Sequence, residues 1–545
     1  MSSTTLSVEH RTSLLISIGR LLLVVALIGS CAAPGMTPTL PAPTRPVEPT
    51  RLPTPAASSA PIVPAPLPSS PTVLAACDTN FQSRAMRAAH IPDWNALGLN
   101  ACYELTLDLL PDKDTYTGTA RVTFTNLTGS DLPDLVFRVY PNAPLIYGGK
   151  LEITTAQVDG ARVTPEVFLS DQTAVRLRLD RPLQDGASAV VELAFAGRVP
   201  RDFGSSSAYG IFNQADDGPV LALANWYPIL AVWREGEWHA TPVIGEGDAV
   251  VSETALYRVR ITAPTDWEVV TTGLLLSAQS QGDAKAQHDF VTGPVRDFMV
   301  LASPAFEARE AQFEDVRVVH WGLPGGEAGW EDALEVARDS IAIFEERFGP
   351  YPYAELDAAA VSLQNASGVE YPGLILIGAG LYTDEDGRLF LLAVVAHEVA
   401  HQWWYAVVGN DVLAAPWQDE ALTTFSSFLY FEEHSPAFYA GMRLSFTQQV
   451  EDFQQEEGDE PVAQPLDAFR GRSGAYGTIV YLKGALFFAE LRERLGDDAF
   501  FQALQTYYAR GRYTIASPDA LLSAFKQACG CDLDAFYDEW GVAPP

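Results

Sequence analysis

From Cys102 to Ser303 apolar and polar residues alternate along the chain. Tyr103, Leu105, Leu107 and Leu109 are separated by Glu104, Thr106 and Asp108; Ala120, Val122 and Phe124 are separated by Arg121 and Thr123. Val175, Leu177 and Leu179 stand against Arg176 and Arg178, and Tyr257, Val259 and Ile261 repeat the scheme. Period two with one apolar side is the signature of half-buried antiparallel strands, and Gly, Pro, Asn and Asp at the breaks supply the turns. The expectation is an N-terminal antiparallel β-sandwich or saddle over 77–303, with no chemical motif of its own.

After Ser303 the period changes. Leu334, Ala337, Ile341 and Phe344 fall on one helical face, which Gly349-Pro350 terminates. Short apolar strands are expected at 358–363 and 374–377. A helix from Leu389 follows, then four more stretches of helical period at 482–494, 498–510, 518–528 and 533–540. Residues 304–545 therefore read as an α/β, mostly helical domain. With 545 residues, length alone predicts two or three domains.

The helix from Leu389 carries His397-Glu398-Val399-Ala400-His401. Residues four apart share a helix face, so both imidazoles can reach one metal ion while Glu398 addresses a water beside it. A hydrolytic zinc site takes three protein ligands and leaves one position open. Glu420, nineteen positions past His401 at the start of the next helical stretch, supplies the third. No other histidines among the eight lie at this spacing.

Two flanking segments join the motif: Ser367-Gly368-Val369-Glu370-Tyr371-Pro372-Gly373-Leu374 before it and Tyr481-Leu482-Lys483-Gly484-Ala485 after it. With His401-Gln402-Trp403-Trp404, Gly409-Asn410 and Trp417-Gln418-Asp419-Glu420, they make the chain resemble the zinc aminopeptidases of the membrane alanyl aminopeptidase family. These are gluzincins with a thermolysin-like catalytic domain, and the resemblance covers roughly 98–545. It implies one zinc ion per chain on His397, His401 and Glu420, with Glu398 as general base. It further implies Tyr481 as oxyanion donor and Gly368, Val369 and Glu370 as the substrate edge, Glu370 pairing with the free α-ammonium. Tyr476 is near enough in sequence to compete with Tyr481 for its role. Two departures concern the substrate edge, where the family's methionine is Val369 and its asparagine Tyr371. The further helical domain of many relatives is expected to be absent here, leaving a cleft open to long peptides.

Composition restricts the partners. Acidic residues outnumber basic ones 69 to 35, a formal net charge of −34, which excludes nucleic acid and disfavours an anionic membrane surface. The run Glu456-Glu457-Gly458-Asp459-Glu460 reads as solvated loop. At the N-terminus Arg11 and Arg20 precede the apolar run Leu21–Ile28, too short to span a bilayer, in the order of an export signal. Ile28-Gly29-Ser30-Cys31 resembles a bacterial lipobox, so residues 1–30 are expected to be a signal peptide and Cys31 a lipidation site; cleavage without lipid, or an uncleaved anchor, are the alternatives. Residues 31–76 hold thirteen prolines and no aromatic, the composition of an unfolded spacer. The expected location is the outer side of a bacterial membrane. Cys77 with Cys102, and Cys529 with Cys531, are possible bridges, with reduced thiols the alternative.

The expected function is removal of N-terminal residues from peptides with a free amine. A zinc endopeptidase or other zinc hydrolase, and a non-catalytic peptide-binding scaffold, are the competing readings.

Overall fold

The computed structural model describes residues 79–201, 209–214, 219–384 and 387–542. The expected signal peptide (1–30), Cys31, the expected spacer (31–76) and Cys77 lie outside the described residues. Among those described, no helix is long and apolar enough to cross a membrane.

An eight-stranded sheet dominates the N-terminal half. Its order runs Leu274–Gly282, Lys285–Val295, Ala255–Pro264, Ala101–Leu110, Thr115–Thr125, Ser188–Arg198, Lys150–Val158, Ala161–Val163. Alternation sets which side is buried: in Ala101–Leu110 every odd position from Ala101 to Leu109 is buried, while Glu104 and Asp108 are exposed. Tyr103 stacks on Tyr257, and Tyr227 meets both edge-on, filling the space beneath with rings. Two four-stranded sheets complete the layers, one containing Val300–Ser303 and the other Leu132–Arg138.

One pairing departs from the all-antiparallel expectation. Ala101–Leu110 runs parallel to Ala255–Pro264, with Leu105 opposite Val259. Alternation fixes which face a residue takes, not the direction of its neighbour.

The second half opens with a hairpin absent from the sequence expectation, Glu307–Phe313 with Val316–Gly322. It leads into a five-stranded sheet whose order continues through Glu355–Val361 and Leu374–Gly378 to an edge strand, Gly368–Tyr371. That edge strand pairs antiparallel to Leu374–Gly378 and borders the cleft. The long helix Glu327–Phe348 and the metal helix Arg388–Ala400 pack together against this sheet, and beyond them lie seven α-helices from Trp417 to Trp540.

The halves are bolted together by Arg296, which is buried and donates from one guanidinium to the carbonyls of Tyr405 (2.6 Å), Ser252 (3.2 Å) and Thr514. Its neighbour Asp297 accepts from the Tyr405 hydroxyl at 2.6 Å. A charge removed from water costs several kcal/mol unless each donor is satisfied, so this contact is specific.

Two chemical details differ from or extend the sequence reading. Glu456 and Glu457 end a helix, and the loop beyond them is tied down: Lys483 Nζ donates to Asp459 at 2.5 Å and Arg472 pairs with Glu460. The acidic run is largely exposed, as expected, but it begins in helix and is tied to the segment that bears Tyr481. Cys529 and Cys531 form a disulfide, and Cys102 is also disulfide-bonded.

Candidate metal centre

His397 and Glu398 occupy the last turn of the metal helix, and His401 follows as its C-terminal cap, still in right-handed helical conformation. Glu420 sits in the first turn of Trp417–His434, where the helix dipole favours a carboxylate. These placements bring three ligand atoms into a triangle. His397 Nε2 lies 3.2 Å from His401 Nε2, and Glu420 Oε2 lies 3.3 Å from the former and 3.4 Å from the latter.

A tetrahedral ion with bonds of about 2.0–2.1 Å requires ligand atoms about 3.3 Å apart. All three sides of the triangle meet that requirement. Glu420 Oε2 has no hydrogen-bond donor although it is buried, and it faces two ring nitrogens. Asp248, Glu370, Glu398, Asp419 and Glu420 crowd round two imidazoles, an excess of acid that a divalent cation offsets. The donor set and its spacing fit zinc. Glu370, Glu398 and His401 also lie within 4.8 Å of one another, but this second trio offers one nitrogen and two carboxyls whose ionisation burial opposes.

Surrounding groups aim the ligands. His401 Nδ1 has Asp419 Oδ1 at 2.9 Å, the Trp404 carbonyl at 3.0 Å and Thr423 Oγ1 at 3.2 Å. Two carbonyl-type acceptors hold the proton on Nδ1 and leave the Nε2 lone pair for a metal. His397 has a longer contact, Thr424 Oγ1 at 3.5 Å from Nδ1.

Electrostatics separates the carboxyls by role. Burial works against ionising Glu420, but the two imidazoles it faces, His397 and His401, outweigh it and hold its pKa below the ordinary value. Burial pushes Glu398 up to about 8, with His401 opposing the shift and the Glu420 charge adding to it. One carboxyl is thereby held as a ligand and its neighbour is poised to take and return a proton. Burial raises Asp419 as well, to about 7, and raises Glu370 with Asp248 as the second cause.

The edge strand passes directly over Glu398. A Cβ on Gly368 would stand 2.2 Å from Glu398 Oε1, so with any larger residue there the strand or the carboxyl would have to shift. Two residues on, Glu370 turns into the same space, 7% exposed, with Oε1 lacking a partner. Val369, buried, lines one small cavity together with Glu370 and Tyr371. Gln402, directly after the second histidine, fixes the turn that follows the strand: its side chain donates to Tyr371 O (3.0 Å) and accepts from Gly373 N (2.7 Å).

Tyr481 lies in a π-helical segment, Gly477–Lys483, immediately before the helix Gly484–Leu495. Its ring is nearly parallel to that of His397, 5.9 Å away, and its hydroxyl bonds to Glu420. Tyr476 meets Tyr481 edge-on at 5.5 Å and directs its own hydroxyl toward Gly247. Of the two tyrosines, the one beside the ligands is Tyr481.

Sequence reasoning missed Asp419, Thr423 and Asp248. Asp419 adjoins Glu420 and could have been found by asking what fixes each histidine. Asp248 comes from the β-rich half, in a loop without any motif, and hydrogen-bonds to Glu370. The β-rich half, which has no chemical motif in its sequence, thus contributes a carboxyl to the site through its fold.

Fold and site together give a β-rich half followed by a mostly helical half that holds a His/His/Glu centre of zinc-ligand spacing. Residues 332–540 match the model of the peptidase family M1 domain. Among curated proteins it is similar to Aminopeptidase 2 of Candida albicans, 21% identical over 80% of this chain and 46% of that one. It is also similar to Probable aminopeptidase 1 of Sulfurisphaera tokodaii, 22% identical over 72% of this chain and 48% of that one. The chain thus spans about half the length of these relatives. The crystal structure of an M1 zinc metallopeptidase from Deinococcus radiodurans shares the fold, with a TM-score of 0.59 and 22% identity over 83% of this chain and 97% of that one.

Proposed function

We propose that the protein is a zinc-dependent aminopeptidase that removes residues one at a time from the free N-terminus of peptides. The observation that carries this reading is the placement of Glu370 within 4.8 Å of Glu398 and His401. A residue's α-nitrogen and carbonyl carbon are two bonds apart, about 2.5 Å. A carboxylate that pairs with an ammonium so near the general base selects the first peptide bond and no other. Similarity to named aminopeptidases, and to an M1 enzyme solved with a Tyr-Ser-Ala substrate, supports the same reading.

Each side chain then has a task. Zinc, when bound by His397, His401 and Glu420, supplies Lewis acidity toward the scissile carbonyl and its attacking water. Glu398 accepts a proton from that water and delivers it to the leaving amine. The Tyr481 hydroxyl donates to the oxyanion as the tetrahedral centre forms. Glu370 pairs with the α-ammonium, a charge-assisted contact stronger than a neutral hydrogen bond. Asp419 keeps His401 oriented.

A hydrolysis panel of aminoacyl-coumarin substrates, with and without phenanthroline, tests this. Turnover of free-amine substrates, lost to chelator and restored by zinc, is expected; turnover of N-acetylated peptides at internal bonds would instead establish an endopeptidase.

The proposal extends to location. Export and a lipid on Cys31, with 31–76 as spacer, would hold the enzyme at a membrane facing outward. Cys31→Ser should move it from the membrane pellet to the soluble fraction of a bacterial host; retention in the pellet counts against the lipid.

A further inference from the structure

The loop from Gly245 to Asp248 reaches out of the β-rich half and is held on four sides. Glu246 Oε1 accepts from the backbone N–H of Gly471 at 2.7 Å, a tie across to the helical half. Gly247 has φ +55, and a Cβ there would stand 2.6 Å from the Tyr476 hydroxyl and 2.9 Å from Leu466 Cδ1. Its carbonyl accepts from the Tyr209 hydroxyl at 3.4 Å. Asp248, half-buried, hydrogen-bonds to Glu370. Behind Glu370 the remaining space, lined by Tyr147, Asn225, Asp248, Asp297 and Tyr405, has room for about one water molecule.

We propose that Gly245–Asp248 is the end wall of the cleft, blocking any peptide that continues past the residue whose ammonium meets Glu370. This rests on the aminopeptidase reading above and adds a second, steric device to it. Glu370 rewards a charge; the loop denies space to whatever would extend beyond that charge. An N-acetyl group or a preceding residue then fails twice, by lacking the cation and by colliding with the wall. The contacts of Glu246 and Gly247 hold the wall, and neither residue touches the metal ligands. The two effects are therefore separable by mutation.

The test uses the full zinc-loaded chain and two variants: Glu246→Ala, which cuts the tie to Gly471, and an insertion of two glycines after Glu246, which slackens the loop without removing a side chain. Substrates are one decapeptide with a free N-terminus and the same decapeptide N-acetylated, with products read by mass spectrometry. The parent should release single residues from the free peptide and leave the acetylated one intact. In the variants the ratio of kcat/KM for acetylated over free peptide should rise by about tenfold or more. Dipeptide and acetyl-aminoacyl products should appear, with zinc content unchanged. Variants that retain zinc, release only single residues and ignore the acetylated peptide would overturn the wall. If the parent releases no single residues at all, the aminopeptidase reading fails instead, and parent cleavage of the acetylated peptide refutes both.

Discussion

Glu398, Glu420 and Glu370 are three carboxyls within a few ångströms, separated in role by what each one faces. Glu420 faces two imidazole nitrogens and is held ionised; Glu398 faces the glycine of the edge strand and keeps its proton more tightly. Glu398→Gln removes the proton acceptor without touching the triangle, so zinc content should stay at one per chain while kcat falls by about 10²–10⁴. Metal analysis beside steady-state kinetics checks this, and substantial residual turnover would count against the base assignment. For Tyr481→Phe the loss should sit in kcat, about 10²–10³, with KM little changed, because the phenol's bond strengthens in the transition state. Tyr476→Phe is the control: were it the more damaged of the two, the oxyanion role would belong to Tyr476. Glu370→Ala should lose most kcat/KM on free-amine substrates while zinc is retained and acetylated substrates become no poorer. Equal losses on both substrate types would remove Glu370 from amine recognition.

The edge strand and the π-helical segment are the elements that place those residues. Gly368→Ala puts a methyl where Glu398 Oε1 now stands. Either the strand or the carboxyl must shift, so kcat should fall at least tenfold with zinc unchanged. Unaltered kinetics in this variant would show that the strand yields freely. Much of this was legible in the chain. Alternation at Ala101–Leu110 and the helical period around Ile341 announced their elements because one burial pattern dominates each. The His397–His401 spacing announced the site because four residues on a helix define a direction in space. Other features left no such trace. The edge strand is four residues long and reads as a turn beside Pro372 and Gly373. The π-helical turn at Tyr481 is a one-residue change of hydrogen-bond register, which side-chain propensities do not encode. Asp248 reaches Glu370 only through tertiary folding, across 122 positions of sequence.

At the scale of the molecule, the proposed catalysis depends on two halves meeting in one geometry. Arg296 and Asp297 lie at that seam, and burial pushes Asp297 up to about 7, with the Asp248 charge adding to it and Arg296 opposing. A carboxyl whose pKa is higher in the folded than in the unfolded chain binds its proton more tightly when folded. Its effect on stability is therefore neutral below about pH 4 and turns unfavourable as pH climbs toward 7. Asp297→Asn keeps the shape and an acceptor for Tyr405 without that charge. It should melt higher than the parent at pH 8.5, the difference shrinking as pH falls to 5; calorimetry at both pH values reads it. A difference that ignores pH would mean the carboxyl is not the strained group.

The central claim is that one zinc site, one base and one ammonium-binding carboxylate remove residues singly from a free N-terminus. A free decapeptide digested by the zinc-loaded protein, by the same protein stripped with phenanthroline, and by the stripped protein given zinc again, with products weighed by mass spectrometry, tests all three parts at once. The account predicts a ladder of single N-terminal losses in the first and third digests and an intact peptide in the second. Internal cuts, or a ladder that survives removal of the metal, would contradict it.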